Sequence, residues 1–162
     1  MRVLPSFHHL LLTLLLLTPG LAAAAAPLTD FAGKPQQIDD YAGHGKWLVV
    51  MFWASDCPVC NAEVHQYNDF HTFHQDSDAT VLGISLDGAG KLAEAKAFVA
   101  RHEVGFPNLI GEPEAVSALY GALVGRPLEG TPAFLIYDPA GKLVAARVGA
   151  VPANRIEEFI SR

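Results

Sequence analysis

Four apolar runs and four helical stretches order most of the chain after residue 27. The run at 46–53 (KWLVVMFW) is continuously apolar over the length of a strand, the pattern of a strand covered on both faces. Residues 61 to about 75 follow, with Val64, Tyr67, Phe70 and Phe73 at helix-compatible spacing. A second strand is predicted at 80–86 (TVLGISL), closed by Asp87-Gly88. The alanine-rich 91–102 carries Leu92, Ala95, Val99 and His102 on one stripe and predicts a helix. Residues 106–110 are short and ambiguous, and 112–120 predicts a helix with Pro113 near its start. Strands at 133–137 and 142–148 flank Asp138-Pro139-Ala140-Gly141, a set of tight-turn residues, and 153–160 predicts a last helix. This order predicts an α/β fold: a mixed sheet with a parallel centre and an antiparallel C-terminal hairpin, helices on both faces.

The first residues have a different character. Arg2 is followed by an apolar stretch at 10–17, a Pro19-Gly20 break and alanines from 22 to 26. That is the order of a secretory signal, with cleavage after Ala24 or Ala25, so that 1–25 is a leader and 27–162 the folded domain. The alternative is an uncleaved anchor facing the periplasm, but 10–26 holds only 17 residues against the roughly 20 that a span needs. The 162-residue chain has a net charge of −6, which becomes −7 once Arg2 is removed, and no basic cluster. A nucleic-acid surface is therefore not expected.

The two cysteines, Cys57 and Cys60, sit in one Cys-Pro-Val-Cys where the first strand gives way to a helix. Proline suits the first helical position, and a helical turn brings residues i and i+3 to about 5 Å, within disulfide range. The N–H groups and positive dipole end of the helix favour the Cys57 thiolate, making it the exposed attacking sulfur and Cys60 the buried resolving one. Asp56 opposes this, because a neighbouring carboxylate disfavours a second negative charge; the effect tilts the pair toward a reductant. A zinc site is poorly served, since structural zinc takes four ligands and His65, His71 and His74 make no obvious chelating face with the sulfurs. No metal and no cofactor beyond the redox-active Cys57–Cys60 disulfide is expected. A static staple across so short a loop gains little entropy.

With its flanks, Phe52-Trp53-Ala54-Ser55-Asp56-Cys57-Pro58-Val59-Cys60-Asn61-Ala62-Glu63 resembles the active site of the thioredoxin superfamily, and within it the exported TlpA/ResA-like branch. The likeness extends to Gly33-Lys34-Pro35, Asp40-Tyr41-Ala42-Gly43, Thr131-Pro132-Ala133-Phe134-Leu135-Ile136 and Asp138-Pro139-Ala140-Gly141-Lys142. The resemblance implies a thioredoxin-like fold and a periplasmic thiol-disulfide oxidoreductase. Its partners would be protein thiols and disulfides, with a membrane electron donor. It also implies that Pro132 is a cis-proline facing the cysteines, that the Thr131 backbone pairs with a client, that Glu63 relays the Cys60 proton, and that Trp53 packs beside the disulfide and shares in substrate binding with Thr131 and Pro132. Clients in that branch include haem-attachment cysteines and metal-site thiols. Three features depart from it: Asp56 stands where tryptophan is usual, Met51 where cytosolic thioredoxins bury an acid, and 120–131 looks long, which would let Arg126 and Glu129 reach the active-site rim or simply form a polar loop. Two other functions use the same cysteines. A redoxin-type thiol peroxidase would want proline and threonine where Val50 and Ala54 stand, and a copper-delivery protein would want a wider cysteine spacing and a downstream histidine.

Overall fold

The computed structural model describes residues 28–161. Seven strands and four helices follow one another as β1 (Leu28–Asp30), β2 (Pro35–Gln36), β3 (Trp47–Trp53), α1 (Pro58–His74), β4 (Ala79–Ser85), α2 (Leu92–Arg101), β5 (Asn108–Ile110), α3 (Pro113–Val124), β6 (Ala133–Tyr137), β7 (Leu143–Val148) and α4 (Ala153–Ile160). They form one sheet in the order β2-β1-β5-β4-β3-β6-β7. β3, β4 and β5 are parallel; β6 and β7 run antiparallel on one side, β1 and β2 on the other. The predicted mixed sheet is therefore present, with a second antiparallel edge from two short strands that lack any apolar run. The ambiguous 106–110 resolves into β5, a three-residue strand held between β4 and β1.

Alternation along β3 divides the core. Val49, Met51 and Trp53 face α1, α2 and α4 and share a buried cluster with both cysteines. Leu48, Val50 and Phe52 face the other way, onto Val116 and Tyr120 of α3. Burial of both faces is what the unbroken apolar run foretold.

Two helices differ from their sequence prediction, one in its buried stripe and one in its length. Phe73 is 78% exposed, and His71 takes its place in the core at 6%. A strict three-residue step drifts around a helix of 3.6 residues per turn, so Phe73 lies about 180° from Val64 while His71 lies nearly beneath it. The third helix runs on to Val124, where Gly125 (φ 75°) ends it in the left-handed conformation. The segment predicted as a long loop from 120 is thus shorter. Arg126 and Glu129 lie exposed on it, against β7, where the Arg126 guanidinium donates to the Ala146 carbonyl at 3.3 Å.

Candidate active site

Strand register assembles the site at the carboxyl end of β3. Phe52 pairs with Ala133, so the antiparallel β6 starts there and Thr131-Pro132 is delivered to the same end. Trp53 pairs with Ser85, so the parallel β4 finishes there and delivers Asp87. Crevices outside the carboxyl ends of strands are where open α/β sheets place their chemistry.

Cys57 is the N-cap of α1, and Pro58 occupies the first helical position. Cys57 and Cys60 form a disulfide with Cα atoms 5.2 Å apart. The Cys60 N–H donates to Cys57 Sγ at 3.1 Å, one of the helix's otherwise unpaired N–H groups. Cys57 retains 8% exposure and Cys60 none, so Cys57 is the accessible sulfur but more covered than a fully exposed nucleophile. What covers it is the Thr131-Pro132 segment: the Thr131 carbonyl oxygen lies 3.4 Å from Cys57 Sγ, and the peptide bond between them is cis. Pro58 and Val59 form an exposed apolar rim, Val59 at 43%.

Trp53 is 1% exposed, stacked on Phe98 at 4.2 Å, and its indole N–H donates to Asn108 Oδ1 at 3.1 Å. It supports the pair from behind, where no client can touch it. Asp56 is 72% exposed and pairs with Lys91 at 3.3 Å, which compensates part of the charge that it brings to Cys57. Glu63 is half-buried; its Oε2 accepts from the Gln66 amide at 2.5 Å, and Gln66 Oε1 in turn accepts from the Ala153 N–H at the start of α4 at 2.6 Å. The Tyr67 hydroxyl beside it bonds the Val151 carbonyl, and burial, with a smaller contribution from Glu63, pushes that phenol far above its usual range. Met51 points into the layer that holds the cysteines, leaving that wall apolar.

Two residues that sequence reasoning did not single out brace the turn before Cys57. Asn61 Nδ2 donates to the carbonyls of Ser55 (3.1 Å) and Cys57 (2.8 Å), and its Oδ1 accepts from Arg101 (2.9 Å) and lies 3.0 Å from His102 Nε2. Burial, then the charges of Arg101 and His65, hold His102 below the usual histidine range. Asp87 accepts from the Ser55 N–H and from the hydroxyls of Ser55 and Ser85. The only sequence sign of either was position: Asn61 directly follows the pair, and Asp87 ends the second strand. His71 and His74 lie down α1, away from the cysteines. Among the described residues no group of three or more His, Cys, Asp or Glu is placed to hold a metal ion, and no helix is long and apolar enough to cross a membrane. The leader expected at 1–25 lies outside the described residues.

A cysteine pair at a helix N-terminus, faced by a cis-proline loop and mounted on this seven-stranded mixed sheet, defines a thioredoxin-fold dithiol/disulfide protein. The chain belongs to the AhpC/TSA family, whose model matches residues 19–146. It is 31% identical over 133 residues to a thiol-disulfide oxidoreductase ResA of Geobacillus thermodenitrificans, an alignment that spans 82% of this chain and 71% of that one. Two solved structures share the fold. A thiol:disulfide interchange protein of Chlorobium tepidum matches with a TM-score of 0.67 at 22% identity, over 85% of this chain and 93% of that one. A secreted disulfide oxidoreductase of Mycobacterium tuberculosis matches with a TM-score of 0.63 at 23% identity, over 82% and 92%. The chain is a ResA-like thiol-disulfide oxidoreductase.

Proposed function

We propose that this oxidoreductase is exported to the periplasm and reduces disulfides in other exported proteins. The observation that carries the proposal is the asymmetry of the pair: Cys57 caps the helix beneath the Thr131 carbonyl with some exposure, while Cys60 has none. A client strand pairs with the Thr131 backbone beside Pro132 and rests on Val59. The Cys57 thiolate attacks one client sulfur, the client S–S bond breaks, and a mixed disulfide forms as the first client thiolate leaves. Cys60, giving its proton to Glu63, attacks Cys57 Sγ and releases the second client thiolate. The client gains two electrons and takes up two protons; Cys57–Cys60 becomes a disulfide. No cofactor beyond that disulfide takes part, and a membrane donor restores the dithiol. Haem-attachment cysteines and metal-site thiols are the client classes this chemistry suits. The domain is 27–162, freed by cleavage after Ala24 or Ala25, and the reducing direction rests on the acid at 56.

Equilibration with glutathione or dithiothreitol tests the direction. A potential near or below the thioredoxin level of about −270 mV is expected, and one near the DsbA level of about −120 mV would make the protein an oxidant. Cys57→Ser should abolish insulin reduction, whereas Cys60→Ser should accumulate a mixed disulfide. If peroxide is consumed as fast as insulin is reduced, the chain is a peroxidase instead.

A further inference from the structure

Asp87 is a buried carboxylate, 9% exposed, on the segment that follows β4. Its Oδ1 accepts from the Ser55 hydroxyl at 2.8 Å and its Oδ2 from the Ser85 hydroxyl at 2.7 Å. The Ser55 N–H is shared between both oxygens at 3.2 and 3.1 Å. Asp87's own N–H donates to Ser85 Oγ at 3.1 Å, which fixes the hydroxyl that serves it. Every side-chain contact supplies a hydrogen, the set that suits a carboxylate anion.

A clamp on Ser55 needs an acceptor there, not a charge; a neutral amide oxygen would serve. Burying an anion is costly without a cationic partner. Among the described residues no ion pair reaches Asp87: the nearby Lys91 is engaged by Asp56. Ser55 stands two residues before Cys57, a chain distance of at most about 7 Å. Asp56 is exposed and paired, so water and Lys91 screen it. Asp87 is neither, and its charge acts through a less polar medium.

We propose that Asp87 is a positioning residue that biases the couple toward reduction of clients: it anchors the turn ahead of Cys57 through Ser55 and holds a negative charge against the Ser55 N–H, two residues before the sulfur. The charge disfavours the Cys57 thiolate, hence the reduced form, and so raises the tendency of the dithiol to give up its electrons. This deepens the reductant reading and rests on it for its biological sense, but not for its measurement, which is a ratio of variant to parent.

Asp87→Asn keeps the shape and one acceptor oxygen for Ser55, turns the oxygen that serves Ser85 into a donor, and removes the charge. In the purified, reduced protein, alkylation of Cys57 by iodoacetamide at pH 7 should become about threefold to tenfold faster as more thiolate is present. The equilibrium constant with glutathione should move the same way, toward the oxidising side; a full tenfold is about 30 mV. An alkylation rate within about twofold of the parent overturns the proposal, because a purely structural clamp loses nothing that sets thiolate content. Ser55→Ala keeps the charge and loosens the clamp; acceleration equal to that of Asp87→Asn would assign the effect to geometry and also overturn it. Should Asp87→Asn fail to fold, Ser85→Ala decides: it strips a donor from the carboxylate, leaving more charge uncompensated, so slower alkylation is expected and faster alkylation refutes the role. The parent's absolute potential separately decides whether the protein is a reductant.

Discussion

Gly83 has no side chain to contribute, yet it determines what its neighbours can do. A Cβ built there would lie 2.0 Å from Asn108 Oδ1 and 2.9 Å from the Trp53 indole nitrogen. The hydrogen bond between those two groups runs through the space that glycine leaves. Gly83→Ala should therefore push Asn108 off the indole and leave a buried N–H unpaired, lowering stability by about 1–3 kcal/mol. Urea unfolding checks it, and an unchanged midpoint would mean that Asn108 moves away without loss. At this scale the sequence was most informative where chemistry is confined to neighbours in the chain. The Cys57, Pro58, Cys60 trio follows from helix-terminus physics alone. Asp87 reaches Ser55 across 32 residues, Asn61 is held by Arg101 and His102 across 40 and 41, and Asn108 reaches Trp53 across 55, distances over which a single sequence without the sheet register carries no signal.

Helix α1 connects the site with the opposite end of the sheet. Its N-cap presents Cys57; its fourth turn places His71 in the core, where Nδ1 accepts from the Val81 N–H of β4 at 3.1 Å. Burial holds His71 below the usual histidine range, with Asp76 acting weakly the other way. The unfolded chain then takes up a proton near pH 6.5 that the folded chain resists, so stability is complete above that value and is lost as the pH falls below it. The melting temperature should drop between pH 7.5 and 5.5, and His71→Gln, which retains an acceptor for Val81, should flatten that dependence. An equal slope in parent and variant would assign the titration elsewhere, His102 being the other lowered histidine. Strand and helix identities were readable here because long apolar runs and helical stripes are strong signals. The choice of Phe73 over His71 for the core shows where reading by a fixed three-residue step fails. The two-residue β2 and three-residue β1 and β5 are held by neighbouring strands and by little in their own composition.

The whole molecule is a sheet between two unequal layers, and only one of them contains the reactive sulfurs. Leu135 of β6 is fully buried in the other, with Val116 and Tyr120. Leu135→Ala should cost about 2–5 kcal/mol of stability through the cavity that it opens. It should leave the reduction potential unchanged, because a loss common to oxidised and reduced forms cancels from their difference. A potential that moves with stability would show that the layers are coupled through the sheet. The overall architecture was legible because the unbroken apolar run of β3, with helices between parallel strands, admits few layered arrangements. Strand β3 also begins and ends on the chain's two tryptophans: Trp47 packs edge-on against Phe159, while Trp53 shares its buried cluster with Cys57 and Cys60. Six residue steps set the indoles about 20 Å apart. One fluorophore thus sits beside the bond that opens and closes and the other at the remote end of the same strand, so the protein carries an optical gauge of its own oxidation state together with a built-in reference lamp.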